Sequence, residues 1–300
     1  MRTYFYLLVT FTIIIFSCTS TNQEGKDAST FDKQAHRGGR GIAPENTIFS
    51  AKTAIDYDCT LEIDLQMSMD KKIVVSHDPY TNSKFCLTPE GDTMTPKEGQ
   101  SRLLYHMNYD SIAKYDVGLK PNPEYPRQEK VPAIKPLLSV LIDSAEAYAK
   151  SKNHTNHYNI EIKSNPKNDG KNYSSVEEFV DLTMKIIKDK NIDSRTILQS
   201  FDTRVLNLVH EKYPGIKTAF LVLATNKNNA EGYINELGFI PDIFSPHFML
   251  ITDELIKEFH KKNVLVIPWT PNTLADLQRL KSMGVDGIIT DYPDLFAQLK

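Results

Sequence analysis

Apolar and polar positions along this chain follow two rhythms. Short runs alternate every second residue, and longer runs place apolar residues three or four apart. The first rhythm predicts strands over 31–35, 60–67, 73–75, 158–163, 196–200, 218–222, 243–245, 264–269 and 287–290. The second predicts helices over 48–56, 136–151, 175–190, 203–213, 230–237, 252–262, 273–283 and 293–299. Strand followed by helix, repeated to about eight units, argues for an α/β fold with a parallel sheet. Eight units in about 270 residues match a (β/α)₈ (TIM) barrel. An open doubly wound sheet is the alternative, but no Gly-x-Gly-x-x-Gly follows the first strand. The stretch from about 78 to 136 breaks the rhythm and reads as an insertion between the second and third barrel strands. Its proline-bearing part, 100–135, reads as an excursion over one barrel face, with room for a short helix within 107–115.

The first 18 residues, MRTYFYLLVTFTIIIFSC, differ from the rest. One arginine precedes an apolar run that is short for a membrane span and reads as a secretory signal. Ile15-Phe16-Ser17-Cys18 resembles a bacterial lipobox; Ser17 fits it, and Phe16 fits poorly. The expectation is a lipoprotein-type signal peptide over 1–18, a polar linker over 19–30 and a folded domain over 31–300. Cys18 would then carry the lipid, and the protein would be exported to the periplasm or cell envelope and held at the membrane. An ordinary cleaved signal or an uncleaved anchor are the alternatives.

Composition adds limits. The 40% hydrophobic and 24% charged residues are those of a globular protein. A net charge of −3 gives no reason to expect nucleic-acid binding. Beyond Cys18, Cys59 and Cys86 are expected as two free thiols, and no Cys-x-x-Cys spacing suggests a zinc ribbon.

The chemistry sits where polar residues occupy the inner face of strands. In TLEIDLQM, Leu61, Ile63 and Leu65 share one face, and Glu62, Asp64 and Gln66 the other. In YNIEIKS, Glu161 and Lys163 again point inward. Inward carboxylates are costly to desolvate unless a cation sits between them. Three oxygen ligands suit one divalent cation, Mg²⁺ or Ca²⁺; a buried ion-pair network such as Glu161 with Lys163 is the alternative. His36 and His77 each follow a strand. His36 opens HRGGRGIAPENT, a glycine-rich loop whose cations suit an anion. Two histidines near a metal and Arg37 are what phosphate-ester cleavage needs: one takes a proton, the other gives one.

HRGGRGIAPENT, EIDLQ, SHD, EIK, QSFD, PWT and GVDGIITDYP occur in an order and spacing that resemble the glycerophosphodiester phosphodiesterase family, from about residue 33 to the C-terminus. The resemblance implies a TIM-barrel phosphodiesterase that uses a divalent cation to split a small glycerophosphodiester into an alcohol and glycerol phosphate. It implies His36 and His77 as the acid–base pair, and Glu62, Asp64 and Glu161 as metal ligands. It places Arg37 and Lys163 on the phosphate and Trp269 at the pocket mouth. A glycerol hydroxyl attacking phosphorus through a cyclic intermediate is the route it suggests. A lysophospholipid or envelope polymer is the alternative substrate, and a non-catalytic envelope lipoprotein that binds an anion is the alternative class. Gln199 and Phe201 are expected to shape the pocket and His247 its rim. Thr290 and Asp291 are expected to cap the last helix, with a phosphate-side contact as the alternative, and Arg40 to face solvent, with an anionic head group as the alternative. His106, His154, His157, His210 and His260 read as surface or helix residues.

Overall fold

The computed structural model describes residues 1–3 and 31–299. The expected signal peptide beyond its third residue, Cys18 and the linker lie outside the described residues. Phe31–Lys300 forms one compact unit. Among the described residues, no helix is long and apolar enough to cross a membrane.

Nine strands are described: β1 (Asp32–Ala35), β2 (Thr60–Met67), β3 (Ile73–Val75), β4 (Tyr158–Ile162), β5 (Thr196–Ser200), β6 (Lys217–Val222), β7 (Ile243–Pro246), β8 (Leu265–Val266) and β9 (Gly287–Thr290). Eight of them run in the order β8-β7-β6-β5-β4-β2-β1-β9, with every neighbouring pair parallel. Backbone bonds from Asp286 N to Val266 O (2.9 Å) and from Ile289 N to Pro268 O (3.0 Å) bring the two ends of this row together. The result is a nearly closed barrel. The strand expected at 73–75 forms with those bounds, but it pairs antiparallel with β2 and stands outside the barrel. The expected strand 264–269 is regular only over β8. Pro268 has no N–H to offer a ladder, although Ile267 and Trp269 still donate to Phe244 and Pro246 carbonyls.

The helices are α1 (Ile48–Asp56), α2 (Pro96–Ser101), α3 (Tyr109–Ile112), α4 (Leu138–Ser151), α5 (Val176–Asp189), α6 (Thr203–Lys212), α7 (Ala230–Leu237), α8 (Asp253–His260) and α9 (Leu274–Met283). Side-chain caps decide where many begin. Thr47, Thr95, Ser175, Asp202, Asn229, Thr252 and Thr273 each accept a hydrogen bond from a first-turn N–H. The last predicted helix is a 3₁₀ helix over Pro293–Gln298, and it has no side-chain cap.

Both faces of the strands are buried, for different reasons. Outward residues such as Leu61, Ile63, Leu65, Ile160, Phe220 and Phe244 pack under the helices. Inward residues divide the barrel interior in two. From β1, β2, β4 and β5 come Gln34, Glu62, Asp64, Asn159, Glu161 and Gln199, all buried. From β6 to β9 and the segments joining them come Ala219, Ile243, Ile267 and Ile289, which form an apolar cluster. Asn159 ties the polar half together, donating to Gln34 Oε1 (2.7 Å) and Gln199 Oε1 (3.0 Å).

The excursion between β2 and β4 holds β3, α2 and α3, with a small apolar cluster of its own around Phe85, Cys86, Met94 and Val117. Cys59 and Cys86 are buried free thiols in separate clusters. The far end of the excursion straps the loop that follows β1. Gln128 Nε2 donates to the Arg40 and Ala43 carbonyls (2.9 and 3.0 Å), and Glu129 N donates to Ile42 O.

Phe244 tests the outer core. Its ring stacks on Phe259 with centroids 4.0 Å apart and leans on Tyr233 at 4.9 Å. Phe244→Ala should lower unfolding free energy by about 3–5 kcal/mol, read as a shifted midpoint in urea. A loss below about 1 kcal/mol would contradict this packing.

Candidate active site

The loop after β1 is shaped by three consecutive left-handed residues: Arg37 (φ 52°), Gly38 (φ 79°) and Gly39 (φ 96°). Gly38 lies against the first turn of α1. A Cβ there would sit 2.5 Å from Ser50 Oγ and 2.6 Å from its backbone carbon, so no larger residue fits. This turn aims Arg37 N at Glu62 Oε2 (2.7 Å).

Glu62, Asp64 and Glu161 project from β2 and β4 into one place. They are buried, and each offers an oxygen within 4.8 Å of the others. Adjacent strands in register explain the meeting, because Asp64 stands opposite Glu161. Gln199 donates to Glu62 Oε1 (2.7 Å), and Asn46 donates to Asp64 Oδ2 (2.8 Å). Lys163 Nζ lies 2.8 Å from Glu161 and 3.6 Å from Asp64. Arg37 pairs with Glu45 through Nη1 (2.9 Å), and its Nε approaches Asp64 at 3.2 Å without hydrogen-bond alignment.

The charge in this cluster is uneven. Glu45, Glu62, Asp64 and Glu161 face Arg37 and Lys163, so two negative charges lack a counter-charge when all four are ionised. Burial, then the nearby Asp64, pushes Glu62 well above the usual carboxylate range. Burial also pushes Glu161 up to about 7, against the pull of Lys163. Burial pushes Asp64 upward too, but Arg37 and Lys163 outweigh it and hold Asp64 well below its ordinary value. Asp64 Oδ1 is buried and has no hydrogen-bond partner. An orphaned oxygen beside two carboxylates that resist ionisation fits a divalent cation, which would supply the missing charge.

Two imidazoles flank the cluster. His36 Nδ1 lies 2.5 Å from Asp291 Oδ1, and His77 Nδ1 lies 3.0 Å from Asp78 Oδ1. Burial pushes His36 down to about 4; Asp291 opposes this, and Arg40 and Arg37 add to the lowering. Asp78 is held down, despite burial, by His77 and by Asn82, which donates to its Oδ2.

A cavity of about 320 Å³ opens over these groups, and all the expected site residues except Asp64 line it: His36, His77, Glu62, Glu161, Arg37, Lys163 and Trp269. Asp64, level with Glu161 on the neighbouring strand, is 1% exposed and is not among the lining residues. The opposite wall is apolar, made of Phe201, Leu221, Leu223 and Ile289 beside Trp269. Phe201 meets Trp269 edge-to-face at 5.5 Å, and Trp269 Nε1 donates to Ser245 O. His247 meets the Trp269 ring edge-to-face at 5.2 Å and is not among the lining residues. His106, His154, His157, His210 and His260 are not among the lining residues.

Two expectations are corrected here. Arg40 does not face solvent: its side chain is 19% exposed, lines the cavity and donates from Nε to Asp291 (2.7 Å). Asp291 does not cap the last helix; it is fully buried against His36. Tyr125 and Asn272 complete that cluster, with 3.3 and 2.7 Å to Asp291 Oδ2. Neither carries a sequence signal. The Asp that follows β9 in GVDGIITDYP carried one, since strand ends are where barrel chemistry gathers.

Comparison with known proteins gives the family. The model of the glycerophosphoryl diester phosphodiesterase family matches residues 36–295. A glycerophosphodiester phosphodiesterase of Bacillus subtilis is 30% identical over 271 residues, covering 89% of this chain and 85% of that protein. A protein of the same name from Caldanaerobacter subterraneus is 29% identical over 88% of this chain and 96% of its own length. A crystal structure of a proposed glycerophosphoryl diester phosphodiesterase from Silicibacter pomeroyi superposes with a TM-score of 0.81 at 26% identity, covering 91% and 93% of the two chains. The chain belongs to the glycerophosphoryl diester phosphodiesterase family.

Gly38→Ala should unseat the Arg37 amide from Glu62 and strain the turn by about 1–3 kcal/mol. The expected readout is a lower thermal midpoint together with reduced turnover of a glycerophosphodiester. A variant with both unchanged would show that the close approach to Ser50 is dispensable.

Proposed function

From membership of this family, we propose that the chain hydrolyses a glycerophosphodiester to a free alcohol and glycerol phosphate, with His36 and His77 moving the protons and one divalent cation held by Glu62, Asp64 and Glu161. The observation that carries the reading is the pair of imidazoles set around the acidic cluster. Each fastens Nδ1 to an aspartate, and both line the same cavity. Nε2 is then the nitrogen that faces a substrate. His36, kept neutral by burial, suits the proton acceptor from the attacking hydroxyl, whether of glycerol or of water. His77, with a side chain 32% exposed beside Asp78, suits the donor to the leaving oxygen.

Lys163, with its ammonium among Glu161, Asp64 and the Phe201 ring, orients a phosphoryl oxygen, with Arg37 fixed behind it. Mg²⁺ or Ca²⁺, when bound, supplies positive charge to the phosphoryl oxygens. Gln199 and Asn46 hold the carboxylates Glu62 and Asp64 in place, which keeps the three oxygen donors pre-arranged.

The apolar wall favours a second substrate class. Leu223 is 52% exposed at the mouth beside Phe201 and Trp269, so an acyl chain, as in a lysophospholipid, has a surface to lie on. Parallel assays on glycerophosphocholine and lysophosphatidylcholine separate the two.

We also propose, from the pattern of residues 1–18, export and lipid anchoring through Cys18. Cys18→Ala should move the protein from the membrane fraction to the soluble fraction on expression in a bacterial host; unchanged partition would remove the anchor.

Release of glycerol phosphate from glycerophosphocholine should stop with EDTA and return with Mg²⁺ or Ca²⁺. His36→Ala and His77→Ala should each lower kcat by about 10²-fold or more, with folding unchanged by circular dichroism. Glu62→Gln should raise the metal concentration needed for half-maximal rate. Near-full activity in either histidine variant would defeat the acid–base assignment, and turnover indifferent to EDTA would defeat the metal.

A further inference from the structure

Asp291 enters the chemistry above only as the partner of His36 Nδ1, yet its surroundings are built around it. It follows β9, next to β1 in the barrel, and is completely buried. Four donors converge on its two oxygens. His36 Nδ1 (2.5 Å) and Arg40 Nε (2.7 Å) share Oδ1. Asn272 Nδ2 (2.7 Å) and the Tyr125 hydroxyl (3.3 Å) share Oδ2. These come from the loop after β1, the segment after β8 and the excursion. The Tyr125 ring also lies under the Arg40 guanidinium at 4.9 Å.

We infer that Asp291 is the positioning residue of His36: it fixes the ring's orientation and tautomer so that Nε2 meets the substrate with its lone pair free. The inference rests on the role proposed for His36. The argument is one of hydrogen-bond capacity. A carboxylate only accepts, so the His36 nitrogen 2.5 Å away must carry its proton. The neutral ring then has an unprotonated Nε2.

An amide at 291 cannot do the same. The Asn272 side chain is locked, because its Oδ1 accepts from Asp291 N (3.0 Å) and Thr290 Oγ1 (3.2 Å), leaving Nδ2 as a donor toward 291. Arg40 Nε is a donor on the other side. An asparagine has one acceptor for two donor-lined sides. Turned one way, its amide opposes Asn272. Turned the other, it donates to His36 Nδ1 and moves the proton to Nε2, which removes the lone pair.

The test joins kinetics to spectroscopy on the full-length, metal-loaded protein. Asp291→Asn should lower kcat for glycerophosphocholine by about 10²-fold, with KM within about threefold, since His36 acts on the reacting proton rather than on substrate affinity. Histidine-selective ¹⁵N labelling, with His36 assigned by its loss in His36→Gln, should show Nδ1 protonated and Nε2 unprotonated in wild type at neutral pH, and a changed pattern in Asp291→Asn. A folded Asp291→Asn with kcat within twofold of wild type overturns the inference. If that variant fails to fold, the wild-type spectrum decides: Nδ1–H upholds the inference, Nε2–H overturns it. If wild type turns over no diester, the functional reading falls, and the two spectra still decide the role of Asp291.

Discussion

Like charges forced together inside a barrel are the constraint on which this structure turns. Glu62, Asp64 and Glu161 are buried on strands that are hydrogen-bonded neighbours, where water screens them poorly. Everything around the cluster lowers that cost. Arg37 and Lys163 bring charge, Gln199 and Asn46 bring donors, and the backbone N–H of Arg37 reaches Glu62. Asp64 Oδ1, which no hydrogen bond reaches, has only the Lys163 ammonium at 3.6 Å to offset its charge.

The barrel interior is partitioned to make that possible. Polar side chains come from four adjacent strands, and apolar ones come from the strands and connecting segments opposite. The apolar half anchors the interior by ordinary burial, so the polar half need not contribute to holding the barrel closed. The division continues upward into the cavity, whose one wall is charged and whose other wall is Phe201, Leu221, Leu223, Trp269 and Ile289.

The excursion between β2 and β4 bears on the site through the loop that follows β1. Through Gln128, Glu129 and Tyr125 it holds the loop that carries His36, Arg37 and Arg40. Glycines that let this loop pass close to α1 also leave it few side chains of its own to pack. The strap supplies the fixed partners, and Asp291 receives the resulting order at the imidazole.

The sequence by itself determined most elements and the inward-facing acids. Period-two alternation in TLEIDLQM and YNIEIKS states which side chains share a face, and a parallel barrel with both faces buried turns that into inside and outside. It also placed His36 and His77 at strand ends, and resemblance supplied their company. Local pattern could not place β3 outside the barrel, because a three-residue apolar run reads the same in either strand direction. Nor could it foresee that Pro268 would cut β8 short. Only the tertiary structure decided where Asp291 and Arg40 spend their hydrogen bonds. Asp291 lies 255 positions from His36, and they meet because closure makes β9 the neighbour of β1. Such a contact leaves no periodic trace in either segment, since it depends on the order of strands around the barrel and not on any one strand's pattern.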